Sequence, residues 1–284
     1  MFGGVFSQRS PSRIHVMHGL LSLTALHLAH LKPAKRRSSI NDAIWHHTIA
    51  IEGFYKAIPH ISPENSDALF VSAILSFFYA FLTIGDLHDD SDEQQRGISQ
   101  ESRILLASWM RLLRGIEAVL APVYENLRFG PLITLFSLGN WNEIEPDRVT
   151  STDKQLASIR QIWEDDKHLE VYDICLFLLR KTWAWMEQFQ NSATSSKTGC
   201  GYNRAWSGPF MWVFFAPEEY FDLQRQRQPA ALIILAYYGA LLQQLDEYWW
   251  AKGSGKSIVS AVDNALGPFW APWTLWPKGI VGLV

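Results

Sequence analysis

The side chains able to do chemistry in this chain are few and scattered. Asp86, His88, Asp89, Asp90, Asp92 and Glu93 form an acidic cluster just past an apolar aromatic stretch. Carboxylate oxygens suit magnesium, which would hold a substrate diphosphate. A run of polar residues in a loop is also the ordinary form of a solvated turn. His15, His18, His27 and His30 fall at helical spacings, and His46-His47 follows on the next apolar segment. Three neutral imidazoles can hold zinc. No His-Glu-x-x-His pattern accompanies them, and histidines among leucines on a helix are more often packed residues bonded to backbone. Cys200 has no evident partner, and no Gly-x-Ser-x-Gly elbow is present. Gly253-Ser254-Gly255-Lys256-Ser257 looks like the end of a phosphate-binding loop, but Trp250 stands where that motif needs a glycine, and a helix rather than a strand precedes it. These residues therefore assign no metal and no cofactor.

Two readings remain for the rest. In the first, Asp246, Glu247, His27 and Asp67 supply general acid and base groups to a cofactor-independent cyclase or isomerase. Asp89-Asp90-Ser91-Asp92-Glu93 superficially resembles the aspartate motif of class I terpene cyclases, yet the second metal motif of that family is missing. In the second reading, aromatic rows wall a lipophilic pocket. Phe70, Phe77, Phe78 and Phe81 lie on one segment, Tyr237, Tyr238, Leu241, Leu242, Trp249 and Trp250 on another, and Gly253, Trp270, Trp273 and Trp276 follow. Core packing accounts for any single ring. Together, apolar helices with few polar groups also build a pocket between helices. Tyr237, Tyr238, Gln243 and Asp246 would orient the ligand.

The elements that must position these residues are helical. Apolar residues recur at spacings of three and four, and alternating strand patterns are nearly absent. Helices are expected over Ile14–His30, ending before Lys32-Pro33, and over Ser39–Ala57, ending before Pro59. Ser62-Pro63 should start a third, apolar all round through Phe81. Further helices should cover Arg103–Leu120, Asp153 to Trp163, Tyr172–Phe189, Pro229–Trp250 and Ser257–Leu266, and a tail with three Trp and three Pro from Phe269 to Pro277 must dock. The expected fold is all-α: a tail over 1–13, then one helical domain over 14–284, an antiparallel helix array with an internal hydrophobic pocket.

Composition narrows the function classes. With 284 residues, 48% hydrophobic and 19% charged, the chain has the apolar content of a folded protein. A formal charge of −3 argues against a nucleic-acid-binding surface spread over the chain. Two cysteines in no paired spacing fit a reducing interior, cytoplasmic or nuclear. The N-terminus lacks a secretion signal. The best candidate span, Ala68–Ile84, sits at the lower length limit and includes Ser72, Ser76 and Thr83, so no membrane span is expected. Thirteen tryptophans point to packing or to a platform for flat apolar matter.

Several segments carry a resemblance. His18-Gly19-Leu20-Leu21-Ser22-Leu23-Thr24-Ala25-Leu26-His27-Leu28-Ala29, Ile61 to Phe70, Trp109-Met110-Arg111-Leu112-Leu113-Arg114-Gly115, and Pro229 to Tyr238 followed by Trp249-Trp250 occur in this order. They resemble the regulatory C-terminal domain of fungal binuclear zinc-cluster transcription factors of the sterol uptake control type, over about His15 to Pro277. The resemblance implies an all-helical domain whose pocket binds ergosterol-like sterols, with Gly253 to Gly255 in the region associated with ligand gating. The zinc-cluster module of that family needs six cysteines, and this chain has two. Its opening, Met1 to Phe6, looks like a natural start. The expectation is a domain that binds a sterol, terpenoid or polyketide without its own DNA-binding module. A homodimer, or a dimer with a related factor, is a further expectation, with Lys32 to Arg37 as a small import patch.

Overall fold

Prolines and local polar bonds set where the first helices begin and end. The computed structural model describes residues 14–84, 99–106, 108–130, 132, 139–146, 150–190 and 205–284. Helix α1 (Ile14–Leu31) stops short of Pro33, and α2 (Arg36–Ala57) stops short of Pro59. Helix α3 (Ser66–Leu82) begins later than Ser62-Pro63 suggests. Asn65 Oδ1 accepts the Ser62 N–H at 2.8 Å, Asn65 Nδ2 donates to the His60 carbonyl at 2.9 Å, and Ser66 Oγ donates to the Pro63 carbonyl at 2.9 Å. These bonds offer the backbone a turn in place of a first helical turn. Then come α4 (Gln100–Leu106), α5 (Ser108–Leu120), α6 (Tyr124–Arg128), α7 (Ser151–Ser158), α8 (Leu169–Gln190), α9 (Gly208–Phe215) and α10 (Glu218–Arg225). The chain closes with α11 (Pro229–Leu242), α12 (Ser254–Leu266) and α13 (Ala271–Ile280). The described residues contain no strand, so the all-α expectation holds.

The chain gathers into two compact units, the first drawn mainly from Met1–Thr83 and Trp109–Phe136, the second mainly from Asp92–Ser108 and Ser137–Val284. In the first unit α1 and α2 run antiparallel. A Cβ on Gly53 of α2 would lie 2.8 Å from the Cβ of His15, so the glycine admits the buried histidine. Farther along, His18 Nδ1 lies 2.8 Å from His46 Nδ1. The inner face of α1 is a row of small residues, Gly19, Ser22, Ala25 and Ala29, with Val16 and Leu26. Gly19 fits against Leu75 of α3. Phe54 packs on Leu69 and Ala73, Phe70 on Val123 and Leu127, and Phe81 meets Trp109 edge to face at 5.0 Å.

Histidines with lowered pKa values should make this unit acid-sensitive. The His47 ring stacks on Tyr79 with centroids 3.6 Å apart, and burial depresses its pKa to about 4. His15 is lowered by burial, and His18 by burial and then by the charge of His46. Each takes a proton more readily when unfolded, so stability is flat above about pH 6.5 and falls as pH drops toward 4. The His47 ring is only partly buried, so solvent screening reduces its share. A loss on the order of 1 kcal/mol from His47 is expected between pH 7.5 and 5.5. Urea midpoints at the two pH values for the parent and for His47→Gln should diverge by this amount; equal shifts would remove His47 as the cause.

The second unit is built around α11, in which every residue from Ala230 to Leu242 is buried. The helix ends at Leu242 rather than Trp250: Gln243–Leu245 tighten into a 3-10 turn, and beyond it the Asp246 carboxylate accepts the Gly253 N–H at 2.8 Å. Gly253 adopts φ 75°, a left-handed conformation that favours glycine, and α12 starts directly after it. The tryptophan-rich tail forms α13 and docks as expected. Trp276 stacks on Tyr237 at 5.2 Å, while Asp263 of α12 accepts from Thr274 Oγ1 at 2.6 Å and from Lys278 Nζ at 2.8 Å. Among the described residues one helix, α1, is long and apolar enough to cross a membrane by length and composition. The Ala68 to Ile84 run overlaps the shorter α3, which ends at Leu82.

Candidate ligand-binding site

The residues expected to wall a pocket divide between the two units. Phe70, Phe77, Phe78 and Phe81 belong to the first, and Tyr237, Tyr238, Leu241, Leu242, Trp249, Trp250, Gly253, Trp270 and Trp273 to the second. Within the first unit Phe70, Phe77 and Phe81 are buried and Phe78 is part-buried; the Phe77 and Phe81 rings stack with centroids 6.2 Å apart. Within the second, Tyr237, Tyr238, Leu241 and Leu242 have no exposed surface. The Tyr237 hydroxyl accepts from Gln155 Nε2 at 3.0 Å, and Tyr238 stacks on Trp212 at 4.6 Å. Burial raises the pKa of both phenols, so they stay neutral. These four side chains pack as core of the second unit. Trp249, Trp250, Gly253, Trp270 and Trp273 are part-exposed, and Trp250 leans on Phe210 at 6.0 Å.

The four acid–base candidates also divide, with His27 and Asp67 in the first unit and Asp246 and Glu247 in the second. Asp246 is engaged by the Gly253 N–H, Glu247 is exposed, His27 is part-buried on α1, and Asp67 sits in the first turn of α3. The cluster from Asp86 to Glu93 and Cys200 lie outside the described residues. Among the described residues no three His, Cys, Asp or Glu side chains come together as a metal-ligand group. Trp109 and Trp163 are core, and Trp163 Nε1 donates to Asp173 at 2.9 Å.

A concavity of about 810 Å³ lies elsewhere in the second unit, along one face of α8. Leu169, Ile174, Phe177 and Leu178 line it together with Trp141 and Phe215, whose rings stack at 5.8 Å with planes 10° apart. Lys181 Nζ sits 5.2 Å from the centre of the Trp141 ring, an attraction between a cation and an aromatic face. Asp173 at the rim is held by Arg160 at 3.0 Å. None of the expected wall residues lines this groove. Its size falls in the range of small-molecule sites, and its lining is apolar with a few charged groups at the edge. The position of α9, which ends in Phe215, depends on Gly208, where a Cβ would lie 2.6 Å from Met186 Sδ and 2.9 Å from the Trp185 ring.

Among the described residues, an all-helical unit with an apolar groove and no strand is the class that geometry defines. No family model matches the chain, and no solved structure matches it. Over 281 residues, 95% of this chain, the sequence is 23% identical to a Zn(2)-C6 fungal-type transcription factor of Gibberella zeae, of which the match covers 54%. The chain thus spans about half the length of that relative. This distant likeness supports a connection with fungal transcription factors.

Proposed function

We propose that the chain is a regulatory-type domain of a fungal transcription factor system, in the nucleus or cytoplasm, that binds a lipophilic small molecule along α8. Likeness to the transcription factor over nearly the whole chain supports the regulatory part. The single observation that carries the ligand is the groove with its paired Trp141 and Phe215 rings and its Ile174 and Phe177 lining. Ile174 is 41% exposed and Phe177 46%, so both hold apolar surface that a ligand would remove from water. A flat, polycyclic body such as a sterol, terpenoid or aromatic polyketide would lie against the rings. Lys181 would face a carboxylate or hydroxyl at one end. In this reading Tyr237, Tyr238, Leu241 and Leu242 support the groove as core rather than touch the ligand.

Titration with ergosterol and with a fluorescent polyene fatty acid, read by tryptophan emission, tests it. Saturable quenching is expected, and Phe177→Asp should weaken it at least tenfold, since burying a phenylalanine contributes about 1.5–3 kcal/mol. Lys181→Glu should weaken the anionic probe more than the sterol. The proposal fails if no lipophile perturbs the emission, or if Phe177→Asp binds as well as the parent.

A further inference from the structure

The close histidine contact of the first unit forms between two helices and not along one. His18 of α1 and His46 of α2 stand 28 positions apart in the chain, yet their Nδ1 atoms lie 2.8 Å from each other. The ring centroids are 5.0 Å apart and the planes are tilted by 42°. At that distance one Nδ1 carries the hydrogen between the rings and the other presents its lone pair, so at least one imidazole is neutral. Both rings are part-buried and keep some surface that solvent reaches. His47 is not part of the pair, being stacked on Tyr79 of α3. Trp45 stands edge-on beside both rings, 5.8 Å from His18 and 4.7 Å from His46. One turn before His18, the buried His15 fits against Gly53 of α2, which fixes how closely the two helices approach.

We propose that His18 and His46 form a two-histidine site for a divalent late transition-metal ion, zinc or copper, with water in the remaining positions. Metal–imidazole bonds of about 2.0–2.1 Å that meet at about 90–109° place their two nitrogens about 2.8–3.4 Å apart. The observed 2.8 Å falls at the short end of that range, so little movement of either ring is needed. Imidazole suits zinc and copper, whereas magnesium and calcium take oxygen ligands. Binding displaces the hydrogen between the rings. The donor ring exchanges its proton from Nδ1 to Nε2 through water, both Nδ1 lone pairs become free for the metal, and a neutral pair releases no net proton. Among the described residues no third His, Cys, Asp or Glu joins the two, so the site is open and its ion exchangeable, unlike a closed structural centre. Trp45 supplies an apolar wall at its side. An occupied site ties α1 to α2 and stabilises the first unit by mass action. It is independent of the groove on α8, which belongs to the second unit.

Calorimetric titration of the full chain, free of any affinity tag, with zinc chloride and with copper(II) chloride tests this. Saturable binding of at least one of the two ions is expected, at one ion per chain. His18→Gln and His46→Gln should each weaken it at least about tenfold, the loss that follows removal of even an outer partner of a metal ligand. His60→Gln, at an exposed position of the same unit, should bind as the parent does. Two measurements leave both ligands in place. Electron paramagnetic resonance of the copper form should show splitting from two imidazole nitrogens. Copper should also quench the emission of Trp45, so Trp45→Phe should lose that quenching. The proposal is overturned if neither ion binds saturably, if both glutamine variants bind as the parent does, or if the copper spectrum shows fewer than two imidazole nitrogens. Quenching that persists in full in Trp45→Phe places the ion elsewhere and overturns it too.

Discussion

Gly255→Ala should lower stability by about 2–3 kcal/mol and the melting temperature by roughly 5–10 °C, although it adds a single methyl group in a helix. In an open helix the same change would stabilise by about 0.5–1 kcal/mol, because alanine is the better helix former. The sign reverses here because a Cβ on Gly255 would stand 2.5 Å from the Gly239 carbonyl oxygen and 3.0 Å from the Gln243 N. Both obstacles are backbone, so no side chain can rotate away. Gly239 faces the same crossing from α11, where a Cβ would lie 2.9 Å from Val259 Cγ2 and 3.1 Å from the Gly255 carbonyl oxygen. Gly115 on α5 is the control, since a Cβ there meets nothing within 4 Å. Gly115→Ala should therefore be neutral or slightly stabilising. Chemical denaturation of the two variants measures the contrast, and a Gly255→Ala protein as stable as the parent would mean that α11 and α12 do not cross this closely.

Asp153→Ala should cost about 3 kcal/mol or more. Arg180 of α8 donates to both carboxylate oxygens, Nε to Oδ1 at 2.7 Å and Nη2 to Oδ2 at 2.8 Å, with the side chains only 19% and 13% exposed. Two-point geometry out of water separates this pair from an ordinary surface ion pair, which contributes about 0–1 kcal/mol. Removing the carboxylate also leaves the guanidinium in a site shaped for an anion. Replacing both partners, Asp153→Leu with Arg180→Met, should recover much of the loss, because no unpaired charge stays behind. Urea unfolding of the single and double variants separates the cases, and a single variant within 1 kcal/mol of the parent would place the pair among solvent-screened contacts. The Arg160 to Asp173 pair, with Arg160 48% exposed, is expected to matter far less.

Helix identity was readable from residue spacing, and ends were readable where a proline enforced them, as at Pro33 and Pro59. The start of α3 was not, because Asn65 bonds to Ser62 and His60 in a turn that competes with the helix. The end of α11 was not, because Leu245 and Trp249 keep helical spacing past the point where Gln243–Leu245 tighten into a 3-10 turn. Site residues were harder still. Tyr237 and Tyr238 belong to a type that lines pockets and fills cores alike, and only burial on every side of α11 separates the two uses. The groove joins Trp141, in a stretch of asparagine and proline, to Ile174 and Phe177 on α8 and Phe215 on α9. No spacing rule connects positions so far apart. One local sign was present on α8: apolar residues at Ile174, Phe177 and Leu178 as well as Cys175, Leu176 and Leu179 cover more of the helix than one buried face needs.

Complete enclosure of α11 has a consequence for measurement. Buried amides inside a hydrogen-bonded helix exchange with deuterium through the largest openings of the molecule, so α11 should hold the slowest exchange of the second unit. Its deuterium uptake then acts as a clock for unfolding. A ligand that occupies only the folded groove slows that clock by one plus the ratio of its concentration to its dissociation constant, without touching α11 at all. Affinity would be readable in the dark, from a helix that contains no tryptophan.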